Sequence, residues 1–214
     1  MSVYTINKAF TSSVERTPRV LEIAEGFGLG LTDKRFVVYD NLQLEVKQGD
    51  IVYILGQSGS GKSLLLRDLV SQMRGEGRAV ADLNELVLPD VPVIDCLGTT
   101  TTEATNLLAK AGISDAWIYI RKPSELSDGQ RYRLKLAMML GMNADVWAAD
   151  EFGAVLDRTT AKIIAFNLQK VARENGKTLI VATTHSDLEE ELGPTLSIHK
   201  RFREKVDIKE GLAA

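Results

Sequence analysis

Residues 51–55 (IVYIL) form a continuous apolar run rich in β-branched positions. Such a run predicts a strand buried on both faces of a sheet. Residues 145–149 (DVWAA) and 178–183 (TLIVAT) have the same character, and 79–83 reads as a further strand. Between these runs the apolar positions return at helical spacing, which predicts helices over 62–73, 102–111, 128–140 and 158–174, the last stopping near Asn175-Gly176. Strands alternating with helices imply a mostly parallel α/β sheet flanked by helices. Upstream, residues 20–46 hold short apolar stretches broken by Gly26, Gly28, Gly30 and a turn at 47–50, a pattern of antiparallel strands. Residues 1–20 are polar and irregular and read as an extended arm or an edge strand. The stretch 87–105, with Pro89, Pro92, Gly98 and four successive threonines, has no readable pattern. The expected organisation is an arm over 1–19, one α/β domain over 20–200 and a tail over 201–214.

Length and composition narrow the function classes. A chain of 214 residues suits one domain with a real core. Its 26 basic and 29 acidic side chains leave a net charge of −3, so there is no basic shell for coating nucleic acid. Two local basic clusters remain: Arg121, Lys122, Arg131, Arg133 and Lys135, and the segment HKRFREK at 199–205. Each is either a partner or nucleic-acid face or, as is commoner for charge runs, a solvated surface. Cys96 is the sole cysteine, so no intrachain disulfide can form and a reducing, cytoplasmic setting is expected. No apolar run approaches the roughly 18 residues of a membrane span. The opening MSVYTINKAF lacks the apolar stretch of a signal peptide. Any service to a membrane is therefore expected to run through a partner, without direct insertion.

The chemistry starts at Gly56-Gln57-Ser58-Gly59-Ser60-Gly61-Lys62-Ser63, which fits G-x-x-x-x-G-K-[ST] in full, after a buried strand and at a helix start. Its glycines let the backbone turn tightly enough for several N–H groups to point at one anion. The helix N-terminus adds its dipole. Lys62 then supplies a compact positive charge for the β- and γ-phosphates of ATP, and the Ser63 hydroxyl a ligand for Mg²⁺. Leu64 completes the set of expected ATP-contacting positions. A merely flexible Gly/Ser loop is the alternative, and the flanking strand and helix argue against it. Asp150-Glu151 closes the run VWAAD. A carboxylate at the end of a buried strand beside a phosphate loop can hold the Mg²⁺ shell, which assigns Asp150. The next carboxylate can take a proton from the attacking water, which assigns Glu151 as base.

Two further features are weak alone. Leu126-Ser127-Asp128-Gly129-Gln130 precedes a helix and could be no more than an N-cap, and His185, after TLIVATT, could be a structural or surface histidine. Taken in order, the phosphate loop, LSDGQ, the strand ending in Asp-Glu, Ala154-Val155-Leu156-Asp157 and a histidine after the next strand resemble the ATP-binding-cassette (ABC) ATPase family over about residues 20 to 200. In that family the signature is LSGGQ and the usual D-loop SALD, so the signature departs here by one change and the D-loop by two.

The resemblance implies a P-loop fold of ABC type with an antiparallel N-terminal portion and a helical subdomain. It also implies two chains meeting head to tail with ATP between them, hence a homodimer. Ser127, Gly129 and Gln130 would then cap the γ-phosphate held by the partner chain, Asp157 would contact that chain, and His185 would bond the γ-phosphate. Asp128 stands where the family has glycine, so its carboxylate should point away. Phe27 is the ring favoured for stacking on adenine, with Phe36 as a second candidate and Tyr39 too near the following strand; a core phenylalanine is the equal alternative for Phe27. The span from Lys62 to Ser127 is shorter than in transporter ATPases, where it carries a glutamine on a mobile loop and the subdomain that grips the membrane partner. Here Asn84 is the nearest substitute for that glutamine, since Gln72 lies too early, inside a helix. The short span, with FGLGL, LSDGQRYR and ADEFGAVLDRTTAK, resembles a group of ABC ATPases some of which are joined to a GNAT-type acetyltransferase. The expected function is a soluble, non-transport ATPase whose ATP-driven dimerisation acts on an unknown protein or nucleic acid. The alternatives are the ATPase subunit of a membrane transporter and a nucleotide-dependent switch with little turnover.

Overall fold

The computed structural model describes residues 2–201 and 206–211. It opens with β1 (Ser2–Ser12), antiparallel to β2 (Lys34–Val46) in a two-stranded sheet. The connection between them carries α1 (Pro18–Phe27), where antiparallel strands were expected. Thr17 caps this helix by accepting the Val20 N–H, Pro18 suits its first turn, and Gly28 ends it in the left-handed conformation at φ 63°. The glycines that read as strand breakers thus include a helix stop.

β3 (Ile51–Gly56) leads through the glycine loop into α2 (Lys62–Gly75) and β4 (Val80–Asp82). The stretch without a pattern folds into short turns and α3 (Thr101–Lys110), capped by Thr100, and is followed by α4 (Ala116–Tyr119). Then come α5 (Asp128–Gly141), β5 (Val146–Ala149), α6 (Arg158–Glu174), β6 (Thr178–Thr183), α7 (Glu189–Leu192) and β7 (Leu196–Lys200). β8 (Val206–Glu210) returns antiparallel to β7, and residues 202–205 of the basic segment lie outside the described residues.

The larger sheet has the order β4-β5-β6-β3-β7-β8 and is parallel except for β8. β3 lies inside it, and its side chains alternate between two cores, as the pleat requires. Val52 and Ile54 pack with Leu65 and Leu69 of α2 and with Tyr4, Ile6 and Leu44 of the two-stranded sheet. Ile51 and Tyr53 pack on the other side with Leu108, Leu134, Ile164 and Leu168. The carboxyl ends of β3, β5 and β6 come side by side, which gathers Gly56, Asp150 and His185 at one rim, where open parallel sheets place their ligands.

That rim is closely packed at Gly56. A Cβ there would stand 2.1 Å from the Lys200 carbonyl oxygen at the end of β7. Gly56→Ala should therefore force β3 and β7 apart and cost about 2–3 kcal/mol. Gly26→Ala, in an open part of α1 with nothing within 4 Å, should be neutral or gain about 0.5–1 kcal/mol. Urea unfolding of the two variants checks the contrast, and equal stabilities would remove the packing argument.

Candidate functional site

The phosphate loop is tied down before any ligand arrives. Lys62 is buried at the start of α2 and its Nζ donates to the Gln57 carbonyl at 2.8 Å. Burial lowers its pKa, and the charges of Asp150 and then Glu151 pull it back up. An anion in the loop would return the counter-charge that burial removes. Ser60 is also buried, and its Oγ has no hydrogen-bond partner among the described residues. Ser58, Gly59, Lys62 and Ser63 line one side of a cavity of about 330 Å³. Asp150, Glu151 and Ala154, with Thr183 and Thr184 of the adjacent strand end, line the other.

The two carboxylates sit on a strained turn. Glu151 takes φ 51°, a left-handed conformation that side chains other than glycine rarely adopt. Its neighbours hold it there. The Phe152 N–H donates to the Ala182 carbonyl at 2.9 Å, the Thr183 hydroxyl donates to the Phe152 carbonyl at 3.0 Å, and the Ala154 N–H donates to the Glu151 carbonyl at 3.1 Å. Asp150 Oδ1 accepts the Glu151 N–H at 3.0 Å, and the Asp150 N–H donates to Asn84 Oδ1 at 3.1 Å. Asn84 is itself fixed, since its N–H donates to Asp82 Oδ1 at 2.9 Å. His185 is half-buried next to Thr184, and its carbonyl accepts the Tyr53 hydroxyl at 2.5 Å.

The remaining candidates lie apart from this cavity. Ser127 caps α5 in a reciprocal box, its Oγ accepting the Gln130 N–H at 3.3 Å while Gln130 Oε1 accepts the Ser127 N–H at 3.0 Å. Asp128 turns along the helix to Arg131 at 2.5 Å. Gly129 faces the Val155 carbonyl, which would stand 3.4 Å from a Cβ. Asp157 caps α6, accepting the Thr160 N–H at 2.9 Å, and these Thr160 hydrogen bonds hold its carboxyl below the usual range. Phe27, at the end of α1, is 76 % exposed, so it is not a core residue. Leu64 is half-buried in the first turn of α2. Sequence reasoning missed Thr183 and Thr184 as cavity walls, although both lie in the run TLIVATT that ends a buried strand. It also missed Tyr39, whose hydroxyl donates to the Gly61 carbonyl at 3.0 Å.

Comparison with known proteins settles the family. The family model described as ABC transporter matches residues 39–92. The aliphatic sulfonates import ATP-binding protein SsuB 2 of Rhodococcus jostii (strain RHA1) is 35% identical over 189 residues, covering 79% of this chain and 72% of that protein. The chain belongs to the ABC ATPase family. It is an ATP hydrolase of that type. The lipoprotein-releasing system ATP-binding protein LolD of Geobacter metallireducens (strain ATCC 53774 / DSM 7210 / GS-15) is 25% identical over 215 residues, covering 84% of this chain and 94% of its own. Among solved structures, the dimeric MJ0796, a bacterial ABC transporter cassette, superposes with TM-score 0.69 at 20% identity over the whole of both chains, which is a likeness of fold.

In this ABC ATPase, Lys62→Ala should abolish ATP binding, because the buried ammonium that lines the cavity is lost. Titration calorimetry with ATP checks this. Wild-type affinity in the variant would remove the loop from the site.

Proposed function

We propose that this chain is the ATP-hydrolysing subunit of a membrane transporter and works as a pair of copies with ATP between them. That reverses the order reached from sequence, where a soluble, non-transport role stood first. The observation that carries the reading is an apolar surface on the span between phosphate loop and signature. Val87, Val91, Trp117 and Ile120 are exposed there, with Val87 at 83 % and Trp117 at 71 %. The two segments run together, because the Val93 N–H donates to the Arg121 carbonyl at 2.8 Å and Lys122 pairs with Asp90 at 3.1 Å. Clustered aromatic and aliphatic side chains left in water mark a protein contact. Among the described residues no helix is long and apolar enough to cross a membrane, and on this reading the span belongs to the partner. Similar proteins bear names such as aliphatic sulfonates import and lipoprotein-releasing system ATP-binding protein, which supports a transport partner over an acetyltransferase.

Within each site Lys62 and the loop amides bind the phosphates. Ser63 and Asp150 offer hard oxygen donors that suit Mg²⁺ and would hold it, and the ion would supply charge to offset the phosphates. Glu151, aimed by its strained turn, takes the proton of the attacking water. His185, at the next strand end, bonds the γ-phosphate. Ser127, Gly129 and Gln130 cap the γ-phosphate of the other copy, and Asp157 meets that copy. Phe27 serves the adenine.

Two experiments test this. Glu151→Gln should slow turnover by about 10² to 10⁴, keep ATP affinity and accumulate as an ATP-bound dimer by light scattering. A monomer saturated with ATP would sink the paired site and favour a nucleotide switch. Trp117→Asp with Ile120→Asp should move the chain from the membrane pellet to the supernatant in its host cells while ATP affinity holds. Wild-type protein found wholly in the supernatant, with no membrane protein co-purifying, would restore the non-transport reading.

A further inference from the structure

Tyr39 is 3 % exposed, so its ring cannot be offered to a nucleotide base. Its hydroxyl bonds the exit of the phosphate loop instead, donating to the Gly61 carbonyl at 3.0 Å. Gly61 is the cap of α2, at φ 104°, and the same carbonyl accepts the Leu64 and Leu65 N–H groups at 3.1 Å each. There is no slack beside it, since a Cβ on Gly61 would stand 2.6 Å from Val38 Cγ1.

Adjacent residues of a regular strand point to opposite faces, yet Val38 and Tyr39 both reach Gly61. The register explains how. Lys8 of β1 pairs with Tyr39 and Ala9 pairs with Val37, so Val38 is an extra residue, a bulge that turns two successive side chains to the same glycine. The entry of the loop is held by β7, where Gly56 pairs with Lys200. The Lys200 ammonium lies 5.7 Å from the centre of the Tyr39 ring, in cation–π contact. Entry and exit of the loop are thereby joined through Lys200 and Tyr39.

We propose that Tyr39 is a positioning residue for ATP: by fixing the Gly61 carbonyl, its hydroxyl aims the first N–H groups of α2 at the phosphates. The inference rests on reading Gly56–Ser63 as the phosphate cradle. Burial pushes the phenol pKa upward, so the hydroxyl remains a donor through neutral and moderately alkaline pH. The two-stranded sheet is then a working part of the nucleotide site.

The test compares Tyr39→Phe with Tyr4→Phe. Tyr4 is buried in the same core, and its hydroxyl donates to Glu76 Oε2 at 2.8 Å, away from the loop. Each variant loses one buried hydroxyl and keeps its ring. Tyr39→Phe should raise the Kd for ATP about five-fold and leave kcat within about two-fold. Tyr4→Phe should lower the melting temperature while the Kd holds. An unchanged Kd in Tyr39→Phe overturns the proposal, and so does an equal loss in both variants, which would mark a general effect of stability. Lys62→Ala measured alongside separates the two levels. If it binds ATP as wild type does, the cradle reading fails and the proposal with it. If it does not bind while Tyr39→Phe matches wild type, only the proposal fails.

Discussion

A buried ammonium governs the chemistry of this molecule. Lys62 is 8 % exposed, and a charge removed from water must find opposite charge or dipoles nearby. The protein supplies the Gln57 carbonyl and the fields of Asp150 and Glu151. These acids follow β5, two strands away from β3 with β6 between, so the charge balance holds only if the sheet keeps that strand order. A polyphosphate carrying a metal ion would suit both signs together, its oxygens facing Lys62 and its cation facing Asp150. Either half alone would leave like charges facing each other in a confined cavity.

The two faces of the sheet divide the work. Within the sheet β7 holds the loop's entry at Gly56, and on one face the two-stranded sheet holds its exit through Gly61 against β2. On the other, the side chains belong to segments that lead outward. β4 pairs with β5, and Asn84 extends that ladder by one side-chain bond to the Asp150 N–H. The residues after Asn84 carry Val87 and Val91 and run beside α4. A continuous set of packed and bonded groups thus reaches from the carboxylate pair to the exposed apolar surface. Asn84, expected from sequence as the nearest substitute for the family's loop glutamine, here bonds the Asp150 N–H through its side chain. Its short amide is used to fix the strand end.

The α/β core was legible because burial on both faces leaves short, β-branched apolar runs such as IVYIL and TLIVAT, too short and too β-branched for buried helices. The helix over 158–174 was legible from its periodicity, and the glycine loop from its full motif. The N-terminal region was not. α1 is a short helix that buries only Ala24, so its apolar spacing was too sparse to outweigh the glycines around it, and its caps at Thr17 and Gly28 were the signals to read. The site was legible where a residue type is dictated by the ligand, as at Lys62. Thr183, Thr184 and Tyr39 escaped because their roles depend on which strand ends become neighbours and on a bulge in register, and neither is written in local spacing.

The change from LSGGQ to LSDGQ shows how a departure from a family pattern can be absorbed locally. A carboxylate at the start of α5 suits the helix dipole, but it would repel a phosphate brought to the same end. Asp128 is turned to the Arg131 guanidinium one helical turn later, and Arg131 also donates to the Leu126 carbonyl. An exposed pair of this kind contributes little to stability. Its effect is directional. The guanidinium neutralises the carboxylate and draws it along the helix surface, leaving the Ser127 hydroxyl and the amides of the first turn as the groups presented at the tip. Arg131 is therefore as much a part of this signature as the aspartate it answers, and replacing either one alone would leave an unbalanced charge at the tip of α5.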